Sequence, residues 1–504
     1  MITRRSFVVG AAAFPTLIHA ASIARSRAVE TTLGPVRGSI EHGVQVFRGI
    51  RYGTTRRFQA PIPPPPLRYV VDALSFGPSA PQNDDKYRPQ SEDCLFLNLW
   101  TPQARRGANL PVMVYFHGGA YSTGSVVDPL NDGRRLADKG VVVVTVNHRL
   151  NALGYLYLAR LDPRFPDSGN VGQLDLVLAL EWIRGNIASF GGDPTRVMVF
   201  GQSGGGAKIA TLMGMPAAAG LFHNAATMSG QQVTASGPLH ATERTRSYLA
   251  RLKAAPSDLL AMPVERLVEA LEATDPIIGG GVYFGPVLDM KWLTRHPFWP
   301  DSNPQSNAIP MILGNTHDET RAFIGREKLV GLTWDNLAKR MAPELRIDIL
   351  PEWVVSEYRR LFPAYSPEQI FYAATTAGRS WRGQVEEAEA RARADAPTFV
   401  YQLDFPSPIE PWRGAPHTLD IPLVFGTLDA PGSIAGTGAS SRAVSDAMMC
   451  AFIALAAKGD PGWPQYRLPQ RATMSFDAPP HVVNDPRHEQ RGLFARVPYI
   501  QPGT

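Results

Sequence analysis

A serine stands at the centre of the sequence Gly201-Gln202-Ser203-Gly204-Gly205. An apolar, β-branched run at residues 197–200 precedes it and is typical of a buried strand, and a helical pattern begins at Gly204. A serine at such a sharp strand-to-helix turn, called the elbow below, holds its hydroxyl above the sheet, where it can act as a nucleophile. The helix behind it favours negative charge developing at the serine, and the amide of Gly204 is a candidate donor to an oxyanion.

A serine nucleophile needs a histidine to take its proton and a carboxylate to orient that histidine. In sheets with this kind of turn, the acid and then the histidine follow the serine along the chain. His417 lies in a loop after a predicted strand at residues 398–403 and is the candidate base. Asp318 and Glu319 both follow a predicted strand at residues 310–314, so the position of that strand leaves the choice of acid open between them.

A second glycine-rich turn precedes the serine in the chain. The apolar run at residues 112–116 leads into His117-Gly118-Gly119-Ala120-Tyr121. Consecutive small residues after a strand can turn their N–H groups towards one point, as the oxyanion of a tetrahedral intermediate requires. This loop is therefore a candidate oxyanion hole.

The elements around these residues alternate between short apolar runs and longer segments of helical periodicity. A helix is predicted at residues 172–190, and strands at residues 111–116, 141–147, 196–200, 310–314, 398–403 and 472–476. This alternation predicts an α/β fold, with a mostly parallel central sheet and helices on both faces. Two helix-rich stretches, at residues 239–291 and 333–396, are either insertions that roof the site or ordinary crossover helices.

Several blocks of the sequence resemble the type-B carboxylesterase and cholinesterase family. The serine block extends back through Phe190-Gly191-Gly192-Asp193-Pro194, and a second block reads Glu92-Asp93-Cys94-Leu95-Phe96-Leu97-Asn98-Leu99-Trp100-Thr101-Pro102, with Phe96 at a position that is usually Tyr-type. Shorter matches are Phe47-Arg48-Gly49-Ile50-Arg51-Tyr52, Val146-Asn147-His148-Arg149-Leu150 and Gly459-Asp460-Pro461-Gly462-Trp463-Pro464. The resemblance covers nearly the whole chain after its first 24 residues and implies the α/β-hydrolase fold and ester hydrolysis.

The resemblance also implies roles for individual residues. It assigns the catalytic acid to Glu319, although Thr320 replaces the Gly that usually follows it, and it supports His417 as the base. It places two oxyanion-hole donors at Gly119 and Ala120, with Gly204 as the third and Gly118 shaping the turn.

Two residues near the serine depart from the family pattern. Gln202 stands where the family usually has Glu, which removes a buried charge beside the predicted site. Lys208 lies one turn into the elbow helix, where a buried residue is expected, and we expect its side chain to reach solvent or to form an ion pair.

Composition sets broader limits on the protein. Of 504 residues 44% are hydrophobic and 19% are charged, which excludes a disordered chain. The net charge is +5, but lysine and arginine form no run longer than a pair, so no nucleic-acid partner is predicted. The two cysteines, Cys94 and Cys450, are expected to be free and buried.

The N-terminus reads Thr3-Arg4-Arg5-Ser6-Phe7 and continues as an apolar run to Ala24. A twin arginine before such a run is typical of a Tat export signal, and small residues at 20–24 offer a cleavage site. A membrane anchor is the alternative. We predict a signal segment at residues 1–24, one α/β-hydrolase domain at residues 25–504, and a periplasmic or secreted protein without stable membrane insertion after processing. No later stretch is expected to be long and apolar enough to span a bilayer.

These observations predict a serine carboxylesterase that acts on a small-molecule ester through an acyl-enzyme on Ser203. No His-Glu-x-x-His or similar ligand pattern occurs in the sequence, so no metal or other cofactor is predicted. One alternative is amide, carbamate or lactone hydrolysis with the same triad. The other is a non-catalytic, cholinesterase-like binding module.

Overall fold

The computed structural model describes residues 24–501 and 503. The predicted signal segment at residues 1–24 therefore lies, apart from Ala24, outside the described residues. Within them, eleven strands form one central sheet. From one edge to the other these strands are Ser39–Glu41, Val44–Arg51, Phe96–Thr101, Val142–Val146, Leu110–Phe116, Gly192–Gln202, Asn224–Met228, Met311–Thr316, Thr398–Leu403, Ala472–Phe476 and His481–Asn484.

The strands from Val142–Val146 to Ala472–Phe476 run parallel, and the strands at the two edges pair antiparallel. Because neighbouring parallel strands end together, Phe116 lies beside Gly201, and Gln202 lies beside Met228. The carboxyl ends of these strands therefore bring the loops that follow them to one edge of the sheet.

Both faces of the sheet are covered by helices. Along the strand Leu110–Phe116, Val112 and Val114 face one hydrophobic core and Met113 and Tyr115 face another, as the two-residue period of a strand dictates. The α-helices of the described residues are Arg134–Ala137, Asn151–Tyr155, Val171–Asn186, Gly204–Met213, Pro238–Leu252, Val264–Glu269, Leu337–Leu345, Pro351–Leu361, Pro367–Thr376, Arg382–Arg393, Asp420–Phe425, Ala439–Lys458 and His488–Phe494. The predicted α/β architecture is confirmed.

The helix-rich stretch at residues 333–396 contains both a crossover helix and helices of an insertion. Arg382–Arg393 packs on the sheet as the crossover between Met311–Thr316 and Thr398–Leu403. Leu337–Leu345 and Pro351–Leu361, in contrast, belong to a separate hydrophobic cluster beside the sheet. This cluster carries side chains to the cleft above Ser203.

Two expectations need correction. The helix Ala439–Lys458 is long and apolar enough to cross a membrane by length and composition, with a mean hydropathy of 1.2, although none was expected after the signal. Its apolar side chains pack in the hydrophobic core, since Val444 and Phe452 are buried against the sheet. Both cysteines are free, but Cys450 is exposed on that helix, whereas Cys94 is buried as expected.

Candidate active site

Ser203 occupies the turn between the strand Gly192–Gln202 and the helix Gly204–Met213. Its backbone has φ 55° and ψ −125°, a conformation that L-residues rarely adopt and that costs on the order of 1–3 kcal/mol. Its amide donates a hydrogen bond of 2.7 Å to the carbonyl of Met228, which helps to hold the turn. A Cβ atom on Gly205 would lie 1.9 Å from the carbonyl oxygen of Phe116, so only glycine fits there. The sequence therefore forms the strained elbow that its small residues predict.

Glu319 and His417 meet beside this elbow. Oε2 of Glu319 contacts Nδ1 of His417, and Oε1 accepts hydrogen bonds from the amide of Thr316 at 2.9 Å and from Nδ2 of Asn315 at 3.0 Å. Burial acts to raise the pKa of Glu319, but the charge and hydrogen bond of His417, with the other donors, outweigh it and hold the pKa below its ordinary value. Glu319 is therefore an ionised carboxylate that fixes the imidazole with its proton on Nδ1.

Asp318, the other carboxylate of this loop, faces away from His417. Its Oδ2 accepts a hydrogen bond of 3.1 Å from the amide of Ala415 and lies 3.1 Å from Nδ1 of His317. Asp318 thus ties the acid loop to the backbone of the histidine loop.

The second nitrogen of His417 contacts Gln202. Nε2 of the Gln202 amide lies 3.1 Å from Nε2 of His417, and both side chains are almost fully buried. With the imidazole proton on Nδ1, Nε2 carries the lone pair, so the amide must donate to it. Among the described residues, Oγ of Ser203 makes no hydrogen bond with His417. A small side-chain rotation must bring the two together before a proton can pass, which is common in structures without substrate.

The loop after Leu110–Phe116 lies directly against the elbow. Gly119 and Ala120 have φ values of 87° and 53°, and a Cβ on Gly204 would lie 1.9 Å from the carbonyl oxygen of Ala120. A Cβ on Gly118 would lie 2.8 Å from the carbonyl oxygen of Gln202, so the turn needs glycine there as well. In the described part of the chain, the N–H groups of Gly119, Ala120 and Gly204 have no protein acceptor. They remain available to a substrate oxygen.

Lys208 holds this loop through hydrogen bonds to its backbone. The side chain is fully buried, and its Nζ donates to the carbonyl oxygens of Ala120 at 2.9 Å and His117 at 3.2 Å. Burial lowers the pKa of Lys208 to about 7. The side chain neither reaches solvent nor pairs with a carboxylate, so both expectations for it were wrong. No sequence pattern indicates this role, because the partners of Lys208 are backbone carbonyls from a distant loop.

Two further buried histidines lie next to Lys208. The rings of His117 and His148 stack with centroids 4.5 Å apart. Burial, together with the charge of Lys208, lowers the pKa of His117 to about 3 and lowers that of His148 well below its ordinary value. Both rings are therefore neutral, and they form part of the packing beneath the loop.

Ser203 and His417 open into one cleft with an empty volume of about 710 Å³. Its walls include Tyr283, Phe323 and Gln232, together with Arg346 and Arg379 from the helical cluster beside the sheet. A hydroxyl, a base with its acid, and free amides thus surround one space, which is the arrangement that acyl transfer requires.

Comparison with known proteins gives a consistent assignment. The model of the carboxylesterase family matches residues 25–493. The para-nitrobenzyl esterase of Bacillus subtilis (strain 168) is 33% identical over 494 residues, which cover 92% of this chain and 97% of that protein. The fumonisin B1 esterase of Sphingopyxis macrogoltabida is 30% identical, with 92% of this chain and 88% of that protein covered.

Solved structures agree with these relatives. The Geobacillus stearothermophilus carboxylesterase EST55 at pH 6.2 superposes with a TM-score of 0.82 at 34% identity, over 92% of this chain and 99% of that one. The chain therefore belongs to the carboxylesterase family and is a carboxylic ester hydrolase of the α/β-hydrolase fold.

Proposed function

We propose that this carboxylesterase works through a covalent acyl-enzyme on Ser203, with His417 as the base and Glu319 as its acid partner. The observation that carries the proposal is the contact between Glu319 and Nδ1 of His417 in the same cleft as the elbow serine. Each group has the chemistry that its role requires, and Ser203 and His417 lie close enough in one cleft for a side-chain rotation to join them.

The reaction follows from these positions. His417 takes the proton of Ser203 as Oγ attacks the ester carbonyl carbon, and the imidazolium is stabilised by Glu319. The amides of Gly119, Ala120 and Gly204 donate to the oxyanion of the tetrahedral intermediate. The alcohol leaves with the proton from His417, and water, activated by the same histidine, then releases the acid and frees Ser203.

A matched pair of substrates tests this proposal. A para-nitrophenyl ester and a para-nitroanilide of the same acyl group differ only in the bond that is broken. We expect the ester to be turned over with a burst of para-nitrophenol equal to the enzyme concentration whenever deacylation is slower than acylation, and the anilide to be turned over far more slowly. Faster cleavage of the anilide would instead favour the amide-hydrolase alternative.

We propose further that residues 1–24 direct Tat export to the periplasm or beyond and are then removed. The support is Arg4-Arg5 ahead of the apolar run. Replacing both arginines by lysine should leave folded precursor in the cytoplasm of a host with a working Tat system. Unchanged export of that double variant would contradict the proposal.

A further inference from the structure

The cleft above Ser203 carries two guanidinium groups. Arg346 and Arg379 line it together with Ser203 and His417. A cleft for a neutral ester needs no such groups, and two guanidinium groups placed side by side repel each other. Their presence beside the nucleophile therefore calls for a partner.

Arg379 is fixed close to the catalytic base. It lies in the π-helical segment Ala377–Trp381, and its Cζ sits 4.6 Å from the centroid of the Phe323 ring. The other neighbour of that ring is His417, with ring centroids 4.8 Å apart. Only one aromatic ring thus separates the guanidinium from the imidazole, so Arg379 is within reach of a substrate that is bound at Ser203.

Arg346 approaches the cleft from the end of the helix Leu337–Leu345. It ends that helix in a left-handed conformation, with φ 54°, and its side chain is exposed. Within the described part of the chain it forms no ion pair. Its guanidinium is therefore free to bind a ligand.

The charges around the two arginines do not balance. Among the described residues, Glu344 is the one carboxylate in ion-pair contact with either of them, with its Oε2 3.4 Å from Nη1 of Arg379. Glu319 also acts on Arg379 through its charge, but it is already paired with His417. Burial first, and then the neighbouring Arg346, lower the pKa of Arg379 to about 10, so it stays cationic at neutral pH. Burial also raises the pKa of Glu387, behind the wall formed by Gln232, to about 8, so that carboxyl is mostly neutral at pH 7.

We propose that the cleft accepts esters that carry a free carboxylate, and that Arg346 and Arg379 bind this carboxylate while Ser203 attacks the ester. Guanidinium groups bind carboxylates through paired, charge-assisted hydrogen bonds, and a bound anion relieves the repulsion between the two arginines. The inference rests on the proposed function. Its chemistry is unchanged: the ester and water give an acid and an alcohol, while the carboxylate of the substrate is retained.

Two pairs of esters test the proposal, each differing only in charge. Mono-para-nitrophenyl glutarate is compared with its methyl ester, which places the carboxylate on the acyl side. Para-acetoxybenzoate is compared with methyl para-acetoxybenzoate, which places it on the alcohol side. We expect the anionic member of at least one pair to have the higher kcat/KM, and its advantage to shrink with added NaCl because salt screens the attraction.

The variants Arg346→Gln and Arg379→Gln should each lower kcat/KM for that anionic ester by about tenfold to a hundredfold, the range for a hydrogen bond to a charged group. The neutral ester serves as the control for folding, and its kcat/KM should fall less than that of the anionic ester in the same variant. Arg359→Gln removes an equal charge from an arginine that stacks on Trp334 outside the cleft, and it should affect neither ester.

Each outcome bears on a different claim. If the wild type hydrolyses the neutral esters but favours neither anionic ester, or if both arginine variants affect charged and neutral esters equally, the carboxylate proposal is wrong and the esterase stands. If the wild type hydrolyses no member of either pair, the proposed function itself fails.

Discussion

The contact between Gln202 and His417 predicts that a charge at position 202 acts on the base, and replacing one atom of the amide should therefore shift the pH range of the enzyme. In the variant Gln202→Glu, a carboxylate takes the place of the amide that lies 3.1 Å from Nε2 of His417. A carboxylate has no proton to donate, so it favours the imidazolium form, in which Nε2 carries a proton. The base must be neutral to act, and the acidic limb of kcat/KM should therefore move to higher pH.

The size of the shift follows from the distance. Two unit charges 3.1 Å apart attract by about 1.3 kcal/mol at the dielectric constant of water and by about 5 kcal/mol at an effective value of about 20. One pH unit corresponds to about 1.36 kcal/mol. Gln202 and His417 are 1% and 6% exposed, so water screens the pair little, and we expect a shift of at least about one pH unit.

The assay is kcat/KM against pH for both proteins with one rapidly hydrolysed ester. Gln202→Met removes a hydrogen bond that favours the neutral imidazole but adds no charge, so it should move the acidic limb to higher pH by less than Gln202→Glu does. Gln470→Glu adds the same charge at an exposed position and should leave the limb in place. A limb that stays put in Gln202→Glu, or moves to lower pH, would refute the electrostatic link between residue 202 and His417.

Three further predictions concern the groups around the triad. Glu319→Gln should lower kcat/KM by about 10²- to 10⁴-fold, because it disrupts the orientation and charge stabilisation of His417. Asp318→Asn keeps an acceptor for the Ala415 amide and should lower kcat/KM by about tenfold or less. A larger loss for Asp318→Asn than for Glu319→Gln would move the acid to Asp318. Lys208→Met should lower kcat far more than it changes KM, because the oxyanion loop loses its support. Since unfolding returns the pKa of Lys208 from about 7 to about 10.4, the unfolded chain binds more protons between these values, and stability should rise with pH across this window. Denaturant unfolding at pH 7 and 9 should show this rise for the wild type and a smaller one for Lys208→Met; equal slopes would mean that the lysine does not titrate in this window.

Local sequence predicted the parts of the fold that depend on local patterns. The run Val142–Val146 is apolar throughout because both of its faces are buried, so it was readable as a parallel strand. The elbow was readable because the strand, the serine and the glycines are consecutive. The strand Asn224–Met228 was missed, since its residues, Asn-Ala-Ala-Thr-Met, carry little β-branched character and only its neighbours in the sheet make it a strand.

The site was predictable in its residue types and less so in its contacts. The choice of Glu319 over Asp318 came from resemblance, because two adjacent carboxylates at a strand end differ only in the direction of their side chains. The partners of Lys208 and the approach of Arg379 to the cleft depend on segments far apart in the chain. Such contacts are set by tertiary packing, which leaves no periodic signal in the sequence.

The central claim is a covalent acyl-enzyme on Ser203, and labelling with an organophosphate such as paraoxon tests it most directly. Intact-mass spectrometry of the wild type should show one diethylphosphoryl group per chain, peptide mapping should place it on Ser203, and esterase activity should disappear in parallel. Ser203→Ala should take up no label and lose about 10³-fold or more in kcat/KM, while Ser380→Ala, which removes another serine of the same cleft, should still be labelled. A Ser203→Ala protein that keeps its activity, or a label mapped to another residue, would contradict the account.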